Sequence, residues 1–284
     1  MATTGTARRG ARKARESTAK DARENPQAID ADEVTIELEA LSSFDESINI
    51  LLYGPAGGGK TVLAAGAPNA TFVSTEKGVI AAKIVGSEAG LLRTPTWEKV
   101  VAAKKYCDAH FGPDDWVVWD SLTKMQVLMI RWILKTINQK NSTRDLDIPA
   151  VQDHQKWQNN FKRFVDEILD APYNTILICT EMRKEDQDGD DIVLPAITGK
   201  DYEICNYITA QTDVNLYYQL KELKGGGVVR RALAQAWGPY IPCKDRYHAL
   251  GQYWDVADGD FGAMAEIIGA IQYNIEHGIP EEEG

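Results

Sequence analysis

Gly54-Pro55-Ala56-Gly57-Gly58-Gly59-Lys60-Thr61 follows the apolar run 48–53 and opens the helix-forming stretch 60–65. The eight residues satisfy G-x-x-x-x-G-K-[ST] at every required position, in the strand–loop–helix setting that gives the pattern its mechanism. Glycines let the backbone wrap a phosphate chain so that loop amides point inward, and the following helix start adds partial positive charge. Gly54, Pro55, Ala56, Gly57, Gly58, Gly59, Lys60 and Thr61 are therefore expected to bind ATP. Lys60 would bridge the β- and γ-phosphates, and the Thr61 hydroxyl would ligate Mg²⁺.

Working outward, a triphosphate site needs a carboxylate for the metal shell. Asp120 ends the apolar run Trp116-Val117-Val118-Trp119, at the carboxyl edge of a parallel sheet, where ligands collect. Ser121 follows and reads as the cap of the next helix. Hydrolysis also needs a group that orients water. No Glu adjoins Asp120, so Glu76 is the candidate; it follows the strand 71–74, expected to lie next to the strand that carries the phosphate loop.

The rest of the chain alternates apolar runs with amphipathic stretches. Strands are predicted over 34–40, 48–53, 71–74, 116–119 and 175–179, and helices over 60–65, 97–110, 122–137 and 154–169, with Thr96 capping the second helix. Strands separated by helices imply an α/β fold with a mostly parallel sheet flanked by helices. Strands over 214–220 and 228–234 enclose Gly225-Gly226-Gly227, which reads as the turn of a late antiparallel hairpin. Phe261, Met264, Ile268, Ile271 and Ile275 recur at helical spacing and mark a C-terminal helix packed on the core.

The chain has 284 residues, with 31 basic and 42 acidic side chains and a net charge of -11. Residues 1–25 hold seven basic and three acidic side chains, or +4, which leaves -15 for the remainder. Residues 1–33 thus read as a basic, disordered tail and linker, and 34–284 as the ATPase domain. An acidic body repels nucleic acid, so any such partner must be held by local basic patches. Cys107, Cys179, Cys205 and Cys243 form no C-x-x-C pair, and the four histidines show no ligand spacing, which argues against zinc and disulfides and fits a reducing cytoplasm. No apolar window approaches the ~18 residues of a membrane span.

These motifs resemble the RecA family. Phe72-Val73-Ser74-Thr75-Glu76 is similar to its strand ending in a catalytic glutamate, and Val117-Val118-Trp119-Asp120-Ser121 to its apolar run ending in Asp-Ser. Ile176-Leu177-Ile178-Cys179-Thr180-Glu181-Met182-Arg183 resembles the next strand, which ends in a polar sensor. The phosphate loop, the short helix to Pro68, the strand ending at Glu76 and the late Lys244-Asp245-Arg246 look most like phage-type core-only RecA-like ATPases, over roughly residues 45–250. The resemblance implies Glu76 as water-activating base, Asp120 in the magnesium shell, and Glu181 or Thr180 as γ-phosphate sensor. It also implies Lys244 and Arg246 reaching a neighbouring protomer's γ-phosphate in a ring or filament.

Single-stranded DNA is the partner that the resemblance implies, along two mobile stretches, 138–153 and 184–200. The second carries Glu185, Asp186, Asp188, Asp190 and Asp191, which repel phosphates. Lys200, Lys221, Lys224, Arg230 and Arg231 are the better candidates for DNA contact, together with the basic tail. The leading reading is an ATP-dependent single-strand annealing or recombination protein acting as a homo-oligomer. A nucleotide-switched loader or chaperone of the AAA+ class is the alternative, though 258–278 contains no Arg or Lys for a sensing lid. A small-molecule kinase is a third, and it lacks an Arg-rich lid after Asp120.

Overall fold

The alternating stretch that begins at Val34 enters a small hairpin: β1 (Ile29–Ala31) and β2 (Val34–Ile36) pair antiparallel, with Ile29 opposite Ile36. The computed structural model describes residues 29–31, 34–36, 40, 46–140, 150–186, 188–199, 202–257 and 260–279. Contacts divide the chain into residues 1–46 and 47–284, so the hairpin groups with the first unit and not with the ATPase domain expected to start at residue 34. The basic segment 1–28 lies outside the described residues.

The second unit runs β3 (Asn49–Gly54), α1 (Lys60–Ala64), β4 (Ala70–Ser74), α2 (Ile80–Ile84), β5 (Gly90–Arg93), α3 (Trp97–His110), β6 (Trp116–Asp120), α4 (Leu122–Lys140), α5 (Val151–Leu169), β7 (Asn174–Glu185), β8 (Asp191–Pro195), α6 (Glu203–Gln211), β9 (Val214–Glu222), β10 (Val228–Leu233), β11 (Lys244–Asp245), β12 (Tyr253–Val256) and α7 (Ala263–His277). Its sheet has the order β12-β10-β9-β3-β7-β6-β4-β5. From β9 to β5 every pairing is parallel, while β10, β11 and β12 add antiparallel, as does β8 on β7. Parallel neighbours need crossovers, and helices supply them on both faces.

Side-chain alternation decides which helix covers which face. Leu51, Tyr53, Val73, Val117, Trp119, Leu177 and Cys179 point to one side, against α3, α4, α5 and α6. Ile50, Leu52, Phe72, Trp116, Val118, Ile176 and Ile178 point to the other, against α1 and α7. Thr96 caps α3, its hydroxyl accepting from the Lys99 amide at 3.4 Å. On α5 the Asp153 carboxylate accepts from the Ala150 amide at 2.8 Å, which satisfies a donor at the helix entry. The C-terminal stripe buries Met264, Ile268 and Ile271, and adds Ile267, whereas Phe261 and Ile275 are exposed at its two ends.

Within the expected 184–200 loop, residues 184–185 and 191–195 are sheet, with Glu181 opposite Pro195 and Glu185 opposite Asp191 in the β7–β8 hairpin. Its turn is tied by the Asp186 carboxylate, which accepts from the amides of Asp188 and Asp190, both at 2.9 Å. Of the 138–153 stretch, residues 141–149 lie outside the described residues, and the flanks belong to α4 and α5. The triple glycine closes the β9–β10 hairpin as expected, with the Leu223 amide donating to the Gly227 carbonyl at 3.0 Å.

Phe161 is fully buried between α5 and the sheet. Phe161→Ala is expected to lower unfolding stability by about 3–5 kcal/mol in denaturant titrations. A loss under ~1 kcal/mol would show that this face does not pack as a core.

Candidate nucleotide site

Register carries the candidate residues to one edge of the sheet. Gly54 pairs with Thr180, Ile178 with Asp120, and Asp120 with Ser74, so three strand ends open beside the phosphate loop. The strand order corrects one expectation: β4, which leads to Glu76, is not adjacent to β3, because β7 and β6 stand between them. Sequence neighbours became separated in space because the chain inserts its later strand β7 beside β3. Glu76 nonetheless reaches the same edge through Asp120, since β4 is the neighbour of β6.

The loop's glycines answer to specific contacts. A Cβ on Gly54, whose φ is +153°, would lie 2.2 Å from the Tyr218 carbonyl oxygen of β9, so a side chain there would push the loop off the sheet. Gly59 has φ +92° and hands the chain into α1, its carbonyl accepting from the Leu63 amide at 2.9 Å. Lys60 is buried, and its Nζ donates to the Gly54 carbonyl at 2.9 Å and the Pro55 carbonyl at 2.7 Å.

Hydrogen bonds connect the two candidate carboxylates to the loop and to each other's strand. The Thr61 hydroxyl donates to Asp120 Oδ2 at 2.9 Å. The Thr75 amide donates to the Asp120 carbonyl at 2.8 Å, and the Ser121 amide to Thr75 Oγ1 at 3.3 Å, which laces the two strand ends together. Ser121 Oγ then donates to Glu76 Oε1 at 3.4 Å while also accepting from the Lys124 amide at 3.3 Å, so it both caps α4 and positions Glu76. Burial lowers the proton affinity of the Lys60 ammonium, opposed by Cys179, Asp120, Glu181 and Glu76. Burial also raises the Asp120 pKa, and the Thr61 hydrogen bond draws it back. A buried lysine near the buried Asp120 carboxylate is an electrostatic arrangement suited to an anionic ligand with its cation.

Mg²⁺ takes hard oxygen donors and shares its shell with phosphates. The Thr61–Asp120 pair offers a hydroxyl and a carboxylate in contact, which fits that demand. Among the described residues no cluster of three His, Cys, Asp or Glu could hold a metal without the substrate's help.

Thr180 and Glu181 follow at the same edge. Thr180 faces α4, its amide donating to Thr123 Oγ1 at 3.2 Å. The Glu181 carboxylate accepts from Tyr217 Oη at 2.6 Å and from Arg183 Nε at 3.2 Å. Tyr217 stacks on Tyr240, with ring centroids 4.2 Å apart, so Glu181 is bound into an aromatic cluster under the sheet edge. Tyr217 was not legible as a site residue, because an aromatic in an alternating strand reads as core.

Lys244 and Arg246 lie at the opposite edge. Lys244 pairs with Asn215 at the start of β9, and its Nζ donates to the Ala210 carbonyl at 2.9 Å. Arg246 donates to the same carbonyl at 2.6 Å and to Asp213 Oδ1 at 2.9 Å. Within this chain the two cations therefore close the C-terminal end of α6, a favourable place for positive charge.

Of the DNA candidates, Lys200 lies outside the described residues, and Lys221 and Lys224 are exposed on the β9–β10 hairpin. Arg231 is engaged by both oxygens of Asp255 at 2.6 Å each and lies 3.6 Å from the Tyr253 ring centroid. Arg230 projects from the other face of β10 and lies against Gly59 of the phosphate loop.

A glycine loop between a buried strand and a helix, a lysine at its end, and a metal-type carboxylate on the Thr61 hydroxyl define a nucleotide-binding P-loop ATPase domain. The chain belongs to the AAA domain family, whose model matches residues 46–247. Among solved structures it is similar to a KaiC-like protein from the hyperthermophilic archaeon Pyrococcus horikoshii OT3, at 14% identity and a TM-score of 0.39, over 67% of this chain and 80% of that one. No curated protein matches in sequence. Among the described residues no helix is long and apolar enough to cross a membrane.

Burial and the neighbouring Arg246 lower the Lys244 pKa from 10.5 to about 8. Mass-spectrometric footprinting at pH 8 with an amine-reactive reagent should then label Lys244 ahead of the exposed Lys221 and Lys224. Between the folded value near 8 and the unfolded value of 10.5, the unfolded chain binds more protons. Stability relative to Lys244→Met should therefore rise with pH across that window, and a flat difference would remove the assignment.

Proposed function

We propose that this domain hydrolyses ATP with Mg²⁺ and uses the cycle to bind single-stranded DNA as a homo-oligomer, in the manner of the phage-type RecA-like annealing and recombination proteins. The observation that supports hydrolysis most directly is the chain of contacts from Thr61 through Asp120, Thr75 and Ser121 to Glu76. Those contacts support a role for Glu76, whose carboxylate accepts a hydrogen bond from the Ser121 hydroxyl.

Lys60 exchanges its two loop carbonyls for the β- and γ-phosphates, and Asp120 with Thr61 would hold the Mg²⁺ that offsets charge on those phosphates. Glu76 takes the proton of the attacking water as its oxygen bonds to the γ-phosphorus and the bond to ADP breaks. Glu181, held by Tyr217 and Arg183, carries the γ-phosphate state toward β8 and β9. Thr180 is the alternative sensor.

For DNA, Lys221 and Lys224 at the hairpin tip are exposed cations, joined by Lys200 and the basic tail from earlier in the sequence. Lys244 and Arg246, engaged with Ala210 and Asp213 in this chain, supply the charge offered to a neighbouring protomer. A second reading is favoured by the family match itself: a nucleotide-switched loader or remodelling factor, which would act on a protein partner without DNA.

Glu76→Gln should keep ATP affinity within about threefold and lower turnover by at least ~100-fold, whereas Lys60→Ala should lose binding; normal turnover in Glu76→Gln removes Glu76 as the base. Adding a single-stranded oligonucleotide should raise both the ATPase rate and the particle size, with retention falling steeply as salt increases. Nucleotide turnover indifferent to DNA but raised by a protein partner would select the loader reading.

A further inference from the structure

Arg230 and Arg231 are consecutive on β10 and meet opposite fates. Pleating sends Arg231 to the face where Asp255 and Tyr253 take up its charge. Arg230 goes to the face of Ala232, which packs with α1 and α7. Pairing fixes its height: Ala232 is opposite Tyr218, whose carbonyl abuts Gly54, and Arg230 is opposite Leu220, two residues farther along β9. The side chain therefore overhangs the carboxyl edge of the sheet, above the phosphate loop.

Contact with the loop is close. A Cβ built on Gly59 would lie 3.2 Å from Arg230 Nε, 3.6 Å from Cδ and 3.7 Å from Cζ. Arg230 is half-buried as a residue, and its guanidinium has no carboxylate partner among the described residues. A cation left unpaired in a chain of net charge -11, beside the residue that precedes Lys60, calls for an anion from elsewhere. Guanidinium matches phosphate oxygens in geometry and charge.

We propose that Arg230 is a second, cis-acting phosphate contact of the nucleotide site, placed on the phosphates by the β9–β10 hairpin and not by the loop that carries Lys60. The assignment rests on the nucleotide reading above. It also gives the hairpin a direct interest in whether nucleotide is bound, since one end of its second strand touches the ligand.

The test is calorimetric titration of the full chain with Mg-ATP, ADP and adenosine, for the unaltered protein, Arg230→Ala, Arg230→Lys and the exposed hairpin control Glu222→Gln. Arg230→Ala is expected to weaken ATP and ADP by about 10- to 100-fold and to leave adenosine unchanged. Arg230→Lys should recover part of the loss, and Glu222→Gln should bind ATP normally. Should Arg230→Ala melt early, Arg230→Gln keeps the stem packed on Gly59 and carries the same expectation. Unchanged ATP affinity overturns the proposal, including the case where only oligonucleotide binding falls. An equal loss for adenosine overturns it in favour of a base contact. An unaltered chain that binds no ATP overturns the nucleotide reading and this proposal together; normal binding with an indifferent Arg230→Ala overturns this proposal alone.

Discussion

Parallel pairing of β3 with β7, and of β7 with β6, is the constraint on which the site depends. It aligns the strand ends so that the Thr61 hydroxyl, one residue into the helix after the loop, meets Asp120 at 2.9 Å. Shifting β6 by one residue would turn Asp120 to the opposite face and present Trp119 to the loop. The apolar faces prevent that shift. Trp119 and Val117 are committed to the four-helix side, and Trp116 and Val118 to the side of α1 and α7. Hydrophobic burial, which carries no chemical information, thereby fixes the register that brings the Thr61 and Asp120 oxygens together.

Around this edge the chain places hydroxyls where charges meet. Thr61 lies between the loop and Asp120, Ser121 between Asp120 and Glu76, and Thr123 beside Thr180. Each hydroxyl can donate and accept, so it links groups that would repel if they touched directly. The Asp120 and Glu76 carboxylates can thus share an edge near the buried Lys60 ammonium. Raised proton affinity on Asp120 and lowered affinity on Lys60 come chiefly from burial, which disfavours the charged form of each.

Charge elsewhere is used locally. Lys244 and Arg246 close a helix end at the far edge, Arg231 pairs across the hairpin, and Arg230 turns to the loop. Lys221 and Lys224 remain exposed on the same hairpin. The adjacent Arg230 and Arg231 thus have separate surroundings, because strand pleat sends successive residues to opposite faces.

Local signals were readable from the chain alone: the phosphate loop, the strand ends at Asp120 and Glu76, the Thr96 cap, the glycine hairpin turn and the C-terminal stripe. Each depends on residues a few positions apart, where backbone sterics and periodicity act directly. Spatial order was not readable in this way. The insertion of β7 and β6 between β3 and β4, the capture of Glu181 by Tyr217, the sheet structure within 184–200, and the approach of Arg230 to Gly59 join residues far apart in sequence. Those contacts arise from the joint burial of two sheet faces and the pairing of strand edges, and no short stretch of sequence carries either.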